Sequence, residues 1–326
     1  MKKINILITH VSYQASAGSF IKLLRNSQLY DFYIVGCDSI KKGFSSGSIL
    51  VDRFHHIEIN DDKYKYIERI QQIIKSENID IIISAEEDDL ILFKEYKIPQ
   101  ALYEHIPSYN IFELFKDKHS ATEELKQRGI DVPKTIMSPN DFSHSKSSKI
   151  IKRKRVSSCS RGISILNRSE LPKDYLFFSD EYITQEFVEG KMYTIDVFCD
   201  CQGRPHSIIP RYGLASKDGT TFKCIIEKEK TLINICEQIY NLYCIPGFSN
   251  IQFIVVDKPY FIELNPRSAA TMIASALASV NYLDLYISHF LYNETLPTYA
   301  DIMKQVKWNS VISRYYQETI YYLGDL

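Results

Sequence analysis

Short apolar runs alternate with amphipathic segments over the first hundred residues. Ile4–Thr9 and Ile79–Ser84 are almost wholly apolar, as expected for strands buried on both faces, and Asp31–Asp38 has a similar pattern. Between these runs, Ser19–Asn26 and Lys63–Ser76 carry apolar residues at helical spacing. Strands that alternate with helices predict a doubly wound parallel sheet.

The carboxyl ends of these strands are the predicted ligand-binding edge, because doubly wound sheets bind ligands there. That edge carries the loop after the first strand, Asp38 and the acidic run Glu86–Asp89. The acids could cap the helix predicted at Leu90–Tyr96 and meet its positive dipole end. Alternatively, Glu86 and Asp88 could hold a substrate ammonium group. No G-x-G-x-x-G motif follows the first strand, so the sequence does not support dinucleotide binding.

A hairpin predicted within Phe248–Arg267 is the most specific feature of the sequence. Two β-rich runs flank Asp257-Lys258, which suits a two-residue turn. With that turn, Gln252 faces Glu263 across the hairpin. Strand alternation then puts four polar side chains on one face: Asn250, Gln252, Glu263 and Asn265. The other face carries the apolar side chains of Ile251, Phe253, Val255, Tyr260, Ile262 and Leu264.

The polar face of this hairpin has two interpretations. Carboxylate and amide oxygens are ligands of hard cations such as Mg²⁺, which usually share their coordination shell with water and substrate phosphates. A strand face in contact with solvent is the alternative, since antiparallel hairpins often have one. Asn-Pro-Arg follows at the end of the hairpin.

A basic strand and a polar loop occupy Lys149–Ser164. A strand carrying Lys152, followed by a loop of serines and Gly162, can wrap a polyphosphate through backbone N–H groups and hydroxyls. Strand alternation turns Lys152 and Arg153 to opposite faces. A solvated run of charges, or a loop for an anionic partner, is the alternative interpretation.

Other elements follow from periodicity and turn signals. Ile111–Gly129 is predicted as one helix, which contains Asp117-Lys118 and ends at Gly129. Tyr182–Cys199 is predicted as two strands joined through Glu189-Gly190. The remaining predictions are a short strand at His55–Asn60, a strand at Ile208–Tyr212, an amphipathic helix at Leu232–Tyr243, a helical region at Ser268–Leu291, and a C-terminal extension at Tyr292–Leu326 without assigned chemistry.

Composition excludes several classes of function. The chain has 326 residues and a net charge of −1, so electrostatics favours neither nucleic acid nor a membrane surface as partner. The seven cysteines form no zinc pattern, and their odd number suits a reducing compartment. The first strand is too short for a signal sequence or a membrane span, so we predict a cytoplasmic protein.

Five motifs in order resemble the ATP-grasp superfamily, with closest similarity to the carbamoyl-phosphate-synthase-like branch of carboxylate–amine ligases. The most specific runs from Asn250-Ile-Gln252-Phe to Glu263-Leu-Asn265-Pro-Arg267, which looks like the "NvQf … EvNPR" signature of that branch. The other four fit in order and spacing: Asp117-Lys118, Lys152, Gln185–Val188 and Arg211. The resemblance covers roughly residues 1–292.

The resemblance implies an α/β fold class, with an N-terminal doubly wound parallel-sheet (pre-ATP-grasp) domain followed by a two-lobed ATP-grasp α+β fold. The implied boundaries are 1–108 for the N-terminal domain, 109–184 for the small lobe with its linking helix, 185–295 for the large lobe with the metal site, and 296–326 for a C-terminal extension. In this family the N-terminal domain shares in substrate binding.

The resemblance also implies ATP as cosubstrate and Mg²⁺ or Mn²⁺ as metal. The implied ATP-binding residues are Lys118, Lys152, Ser157, Ser158, Ser160, Gly162, Glu186, Phe187, Val188 and Glu189. The implied metal ligands are Gln252, Glu263 and Asn265, with Asn250 in a supporting role. Arg211 and Arg267 would face the γ-phosphate or an acyl phosphate.

The implied reaction is attack of a substrate carboxylate on the γ-phosphate of ATP, followed by displacement of phosphate by an amine. The acidic edge and the two arginines favour an amino acid among the small-molecule carboxylate and amine substrates. The metal face would equally serve a kinase with a hydroxyl acceptor. A non-catalytic nucleotide-binding protein is a third hypothesis, because Arg153 and Met192 stand where the family usually has Pro and a ribose-binding Glu. The sequence is compatible with a monomer or a homodimer.

Overall fold

Three β-sheets organise the described part of the chain. The computed structural model describes residues 1–12, 14–58, 62–84, 86–99, 107–144, 147–157, 162–217, 220–315 and 317–323. Within these ranges the strands form a four-stranded, a three-stranded and a six-stranded sheet, in that order along the chain. The first sheet is parallel and the other two are antiparallel.

The N-terminal sheet has the strand order β3-β2-β1-β4, which confirms the predicted doubly wound domain. Its strands are β1 (Lys2–Thr9), β2 (Tyr30–Asp38), β3 (Arg53–His56) and β4 (Ile81–Ser84). Its helices are α1 (Gln14–Arg25), α2 (Gly47–Leu50), α3 (Lys63–Ser76) and α4 (Glu87–Glu95). Alternate residues of β1 enter two separate cores, Ile6 on one face and Leu7 on the other. Burial of both faces is the reason for the unbroken apolar run.

The single helix predicted at Ile111–Gly129 is wrong, because the structure has two helices there, α5 (Tyr109–Lys116) and α6 (Lys118–Gln127). Asp117 lies between them in an extended conformation, with φ −90° and ψ 108°. Its carboxylate accepts hydrogen bonds from the backbone N–H groups of His119 and Ser120 and so caps α6. Lys118 is therefore the first residue of a helix.

The small sheet has the order β6-β5-β7. Its strands are β5 (Lys149–Lys154), β6 (Ser164–Asn167) and β7 (Tyr182–Glu186). A 3₁₀ segment at Pro139–His144 precedes β5, and another at Arg168–Glu170 follows β6. Ile150 packs with Ile136 and Phe177 in a minor core on one side of this sheet. The opposite side of β5 faces the large sheet.

The large sheet has the order β12-β11-β8-β9-β10-β13. Its strands are β8 (Lys191–Cys199), β9 (Pro205–Lys217), β10 (Thr220–Ile226), β11 (Gly247–Val255), β12 (Pro259–Asn265) and β13 (Val311–Ser313). The associated helices are α7 (Lys230–Leu242), α8 (Ile273–Ala278), α9 (Tyr282–Tyr286) and α10 (Tyr299–Gln305), with a π-helical turn at Ile287–Leu291. The region predicted as helical at Ser268–Leu291 is thus broken into short pieces. The predicted C-terminal extension supplies β13, an edge strand of this sheet.

The hairpin β11–β12 has the predicted polar pairs but a different turn. Gln252 faces Glu263 as predicted, whereas Val255 faces Pro259, so the turn has one more residue than expected. A bulge at Ile262, between the partners of Gln252 and Phe253, compensates for the longer turn. The assignment of Tyr260 and Ile262 to the apolar face is therefore wrong, and Phe261 is the residue between them that is buried in the core.

The chain passes from the small sheet to the large sheet between Glu186, the end of β7, and Lys191, the start of β8. This single crossing leaves a gap between the two sheets, and the candidate site lies in it. In the residues that the structure describes, no helix is long and apolar enough to cross a membrane.

Candidate active site

A cavity of about 340 Å³ lies between the small and the large sheet. Ile151 and Arg153 of β5 and Gln185 of β7 form one wall. The opposite wall consists of residues from four strands of the large sheet: Thr194, Arg211, Asn250, Gln252, Ile254, Ile262, Glu263 and Asn265. One wall is mixed apolar and cationic, and the other carries polar groups, so the cavity suits a ligand with a flat apolar part and an anionic part.

Strand register aligns the polar groups of the large sheet in a row. Glu263 pairs with Gln252, Gln252 with Thr194, and Thr194 with Arg211, across four neighbouring strands. A second row, two residues along, consists of Asn265, Asn250 and Asp196. Because directly paired residues project from the same face, both rows point to the cavity side of the sheet.

Hydrogen bonds orient the predicted metal ligands. The side-chain amide of Asn265 donates to Glu263 Oε1 and to Asn250 Oδ1, each over 3.2 Å. Asn250 in turn donates to the backbone carbonyl of Arg267 over 3.1 Å. Asn250 therefore supports the turn that follows the hairpin.

The donor set of this face fits a hard cation. Gln252 lines the cavity, and its side chain has no hydrogen-bond partner among the described residues. One carboxylate beside amide oxygens matches the oxygen ligands of Mg²⁺ or Mn²⁺, which complete their shells with water and phosphate. No cluster of three His, Cys, Asp or Glu side chains suitable for another kind of metal site occurs in the described ranges.

Arg211 is held rigidly at the end of the polar row. It is 1% exposed, and its Nε and Nη2 donate to Asp196 over 2.8 and 3.1 Å. Ser275 donates to the same carboxylate over 2.6 Å. Burial alone would lower the pKa of Arg211, but the charge of Asp196 outweighs it and raises that pKa. Sequence reasoning missed Asp196, although an acid within the apolar run of β8 is an unusual feature.

Lys152 does not face the cavity, which corrects the predicted phosphate contact. Its ammonium group lies 5.3 Å from the ring centre of Tyr175 and 4.9 Å from that of Tyr182, on the outer side of the small sheet. Arg153, one residue later, faces the cavity because successive residues of β5 point to opposite sides. Arg153 therefore occupies the place where we had expected a lysine.

Arg153 is buried without a full set of partners. It is 5% exposed, and its Nη1 donates to the backbone carbonyl of Ile262 over 3.2 Å. Its Nε and Nη2 have no hydrogen-bond partner among the described residues. Burial lowers the pKa of Arg153 to about 10, and the nearby charge of Glu263 acts in the opposite direction. A buried cation with two unused donors indicates a site for an anionic ligand.

Lys118 lies at the other side of the cavity. Its Nζ donates to the backbone carbonyl and hydroxyl of Ser157 over 2.7 and 3.3 Å. Both residues line the cavity, so the start of α6 and the segment after β5 meet there. Arg155 strengthens this junction through an ion pair with Asp117. Burial alone would raise the pKa of Asp117, but the hydrogen bonds from Arg155 and from the capping N–H groups outweigh it and lower that pKa.

Asp117→Asn tests this junction. Asparagine caps a helix as well as aspartate does, so the variant loses the charge that pairs with Arg155 while keeping the cap. We expect a loss of about 1 kcal/mol in unfolding free energy at pH 7, measured by urea denaturation. Because the pKa of Asp117 is lowered in the folded state, this stabilisation is lost as the pH falls below its ordinary value. The difference should therefore shrink near pH 3.

Asp62→Asn is a matched control, since Asp62 caps α3 in the same way but is more exposed. We expect a smaller loss there, and an equal loss at the two sites would contradict a special role for the Asp117–Arg155 pair.

The segment that joins the small sheet to the large sheet contributes backbone and apolar groups to the cavity wall. Glu186, Phe187 and Val188 line the cavity, as does Met192. The backbone N–H of Glu186, at the end of β7, donates to the carbonyl of Lys134, so that N–H group already has a backbone partner. Glu189 is exposed and lies outside the cavity, which does not support its predicted nucleotide contact.

The remaining predicted residues are placed as follows. Arg267 lines the cavity, and its Nη1 donates to the carbonyl of Ser268 over 3.1 Å. Gly162 has φ +72°, a conformation that favours glycine, and is the last residue of the predicted phosphate loop. Ser158 and Ser160, both predicted to bind ATP, lie outside the described residues.

The acidic edge of the N-terminal sheet is built around Asp89. Asp88 points to solvent with an 81% exposed side chain and meets Lys116 at 3.6 Å, and Glu86 makes no capping hydrogen bond. Asp89 is instead buried, where it accepts hydrogen bonds from Thr9, Ser84 and Tyr66 and meets His10 Nε2 at 3.2 Å. The structure therefore does not bring the two predicted substrate residues to the cavity. The capping alternative is also wrong for Glu86.

Comparison with known proteins found a family model and a relative that this chain resembles. The model of a family described as "ATP-grasp in the biosynthetic pathway with Ter operon" matches residues 178–311. A tyramine–L-glutamate ligase from Methanocaldococcus fervens is 25% identical over 264 residues, which cover 77% of this chain and 80% of that protein.

Two solved structures illustrate the similarity of fold. N5-carboxyaminoimidazole synthetase from Staphylococcus aureus, complexed with ADP, superposes with a TM-score of 0.67 at 15% identity, covering 91% of this chain and 80% of that one. L-amino acid ligase from Bacillus licheniformis superposes with a TM-score of 0.64 at 15% identity, covering 94% of this chain and 77% of that one. At this level of identity the superpositions report a shared fold.

Proposed function

We propose that this chain, a member of the ATP-grasp superfamily, is an ATP-dependent carboxylate–amine ligase that joins two small molecules through an amide bond. One observation carries the proposal. The polar row from Glu263 to Arg211 faces the buried and partly unpaired Arg153 across a single cavity. This arrangement combines oxygen ligands for a metal with guanidinium groups for phosphate, as transfer of a phosphoryl group requires.

The nucleotide would lie between the two sheets. The apolar side chains of Ile151, Ile254 and Ile262 line this gap and suit the faces of an adenine ring. Arg153 and Lys118 would bind the phosphates, Arg153 through the two nitrogen atoms that have no partner among the described residues. Binding of a polyphosphate would thereby offset the cost of burying the Arg153 charge.

A divalent cation, Mg²⁺ or Mn²⁺, would be held by Glu263 with the amide oxygens of Gln252 and Asn265. When bound, it neutralises phosphate charge and fixes the phosphate oxygens. The protein's own contribution is the orientation of the Glu263 carboxylate by Asn265, which is itself held by Asn250. Arg211 and Arg267 would stabilise negative charge on the transferred phosphoryl group.

The reaction would proceed in two steps. An oxygen of the substrate carboxylate attacks the γ-phosphorus, which forms an acyl phosphate and releases ADP. An amine nitrogen then attacks the acyl carbon, the amide bond forms, and phosphate leaves with one of the original carboxylate oxygens; the amine loses a proton. No side-chain nucleophile is needed, so the cavity acts by positioning and charge.

Amino acids and amines are the substrate class that we propose. The names of two similar proteins, a tyramine–L-glutamate ligase and an L-amino acid ligase, support this class. Within the chain, the guanidinium groups of Arg211 and Arg267 on the cavity wall suit carboxylate-bearing substrates.

Incubation of the protein with MgATP, hydroxylamine and a panel of amino acids tests this function. We expect ADP together with an acyl hydroxamate, because hydroxylamine traps an acyl phosphate. ADP release without hydroxamate for every acid that stimulates turnover would contradict the ligase. A stable phosphorylated product in place of free phosphate would identify a kinase.

A further inference from the structure

Thr194 stands in the middle of the polar row, between the predicted metal ligands and Arg211. It pairs with Gln252 of β11 on one side and with Arg211 of β9 on the other. Its neighbours along β8, Tyr193 and Ile195, are buried in the core on the opposite face of the sheet, whereas Thr194 lines the cavity. The cavity wall therefore has a short hydroxyl side chain between two long polar ones.

The hydroxyl of Thr194 is available to a ligand. Thr194 is 9% exposed, and its hydroxyl has no hydrogen-bond partner among the described residues. The next residue on the same face of β8, Asp196, already accepts hydrogen bonds from Arg211 and Ser275. A hydroxyl can donate one hydrogen bond and accept others. An unpartnered hydroxyl that borders a cavity indicates contact with a bound molecule.

The side chains on either side of Thr194 also have unused polar groups. Nε and Nη2 of Arg211 donate to Asp196, which leaves Nη1 without a partner among the residues that the structure describes. The side chain of Gln252 is likewise unpaired there. Strands two apart in a sheet are separated by about 10 Å, so a group that meets both side chains lies above Thr194. Thr194 is thus the base of a recess that Gln252 and Arg211 border.

A phosphoryl group suits this recess. Its oxygens accept hydrogen bonds from a guanidinium and from a hydroxyl, and they share the coordination shell of a divalent cation. We propose that Thr194 is a further catalytic residue, whose hydroxyl donates a hydrogen bond to the γ-phosphoryl group of ATP. No bond to the hydroxyl oxygen forms or breaks. The contact exists with ATP and not with ADP, and it stabilises the phosphoryl group during transfer. This inference rests on the proposed function for the identity of the nucleotide and of the acceptor.

A purely structural role for Thr194 makes the opposite prediction for two variants. Threonine favours strands through its branched Cβ, which valine shares and serine lacks. If shape alone matters, Thr194→Val should equal wild type and Thr194→Ser should be impaired. If the hydroxyl binds the phosphoryl group, the order of the two variants is reversed.

Calorimetric titration with two nucleotides tests the proposal. The probes are MgADP and the magnesium complex of AMP-PNP, an ATP analogue that carries the third phosphate and resists its transfer. We expect Thr194→Val to weaken AMP-PNP binding roughly tenfold, because it loses a hydrogen bond to a charged group, and to keep its MgADP affinity within about twofold of wild type. Thr194→Ser should bind both nucleotides within about threefold. With an amino acid that stimulates turnover, kcat for ADP release should fall at least about tenfold in Thr194→Val and recover in Thr194→Ser.

Thr184→Val is the matched control. Thr184 of β7 also has a hydroxyl without a partner among the described residues, but it is fully buried and does not line the cavity. Its variant should bind both nucleotides within about twofold of wild type. An equal loss of MgADP and AMP-PNP affinity in Thr194→Val, or no loss of either, would overturn the proposal. So would a Thr194→Ser variant as impaired as Thr194→Val.

The same measurements separate this inference from the ligase function. Selective loss of AMP-PNP binding in Thr194→Val, in a protein that forms no acyl hydroxamate, would contradict the ligase and leave the role of Thr194 intact. Hydroxamate formation by wild type, with AMP-PNP binding and turnover unchanged in Thr194→Val, would do the reverse. A wild-type protein that binds neither nucleotide would overturn both.

Discussion

Replacement of Glu263 by glutamine is expected to reduce kcat by at least about 10³-fold, a loss of roughly 4 kcal/mol of transition-state stabilisation. Glu263 is the only carboxylate of the polar row, which otherwise consists of Gln252, Thr194 and Arg211. Glutamine keeps the shape and one oxygen but not the negative charge that a divalent cation requires. Steady-state ADP release measures the effect.

The fold of Glu263→Gln should remain intact, because the side chain is half-buried at a cavity and not part of a core. A melting curve within a few degrees of wild type is expected, with a small loss because Glu263 also offsets the charge of Arg153. Glu181→Gln, at an exposed carboxylate before β7, is the control and should keep full activity. Wild-type turnover in Glu263→Gln would contradict the assigned metal face.

Replacement of Arg153 by methionine is expected to weaken ATP binding about 100-fold and, at the same time, to stabilise the ligand-free protein by about 2 kcal/mol. The two effects have one cause. The guanidinium is buried, and its Nε and Nη2 lack partners among the described residues, so its charge costs folding energy that Glu263 offsets in part and that an anionic ligand would offset further.

The pH for this comparison follows from the pKa of Arg153. Burial lowers that pKa to about 10 in the folded protein, well below its ordinary value in the unfolded chain. Both states are therefore charged at pH 7, and the full cost of burial is present there. Above pH 10 the folded state loses this proton before the unfolded state does. The unfolding free energy of the wild-type protein should therefore rise only in that range.

Lys152→Met is the matched control for Arg153→Met, since it changes the neighbouring residue of the same strand on the opposite face. Lys152 lies over Tyr175 and Tyr182, outside the cavity, so ATP affinity should stay within about threefold. Calorimetry with MgATP and urea denaturation without it measure the two effects. A larger loss of ATP affinity in Lys152→Met than in Arg153→Met would show that Lys152, and not Arg153, binds the phosphates of ATP.

The register of the hairpin β11–β12 shows what the sequence could predict. The facing of Gln252 and Glu263 was predicted from a two-residue turn, but the turn is longer and a bulge at Ile262 compensates. The prediction was therefore right at the polar pairs and wrong at Tyr260 and Ile262. Period-two patterns locate one face reliably, whereas an insertion of one residue in a turn or a bulge leaves no clear signal in composition.

The sequence could not predict which distant segments contact one another. Ile150 and Ile151 are both apolar, so the pattern of β5 could not tell whether Lys152 or Arg153 faces the cavity. Arg314 meets Ser19 across almost the whole chain, and only the pairing of β13 with β10 brings it there. The fold class and the motif order, by contrast, follow from local periodicity and spacing, which one sequence does contain.

Transfer of oxygen from substrate to phosphate tests the central claim most directly. An amino acid that stimulates ADP release is supplied with ¹⁸O in its carboxylates, together with MgATP and an acceptor amine, and the released phosphate is analysed by mass spectrometry. When an amine displaces phosphate from the acyl phosphate, each released phosphate carries one ¹⁸O from the substrate carboxylate. One amide bond forms for each labelled phosphate. Unlabelled phosphate, or label retained in a stable phosphorylated product, would contradict the ligase mechanism.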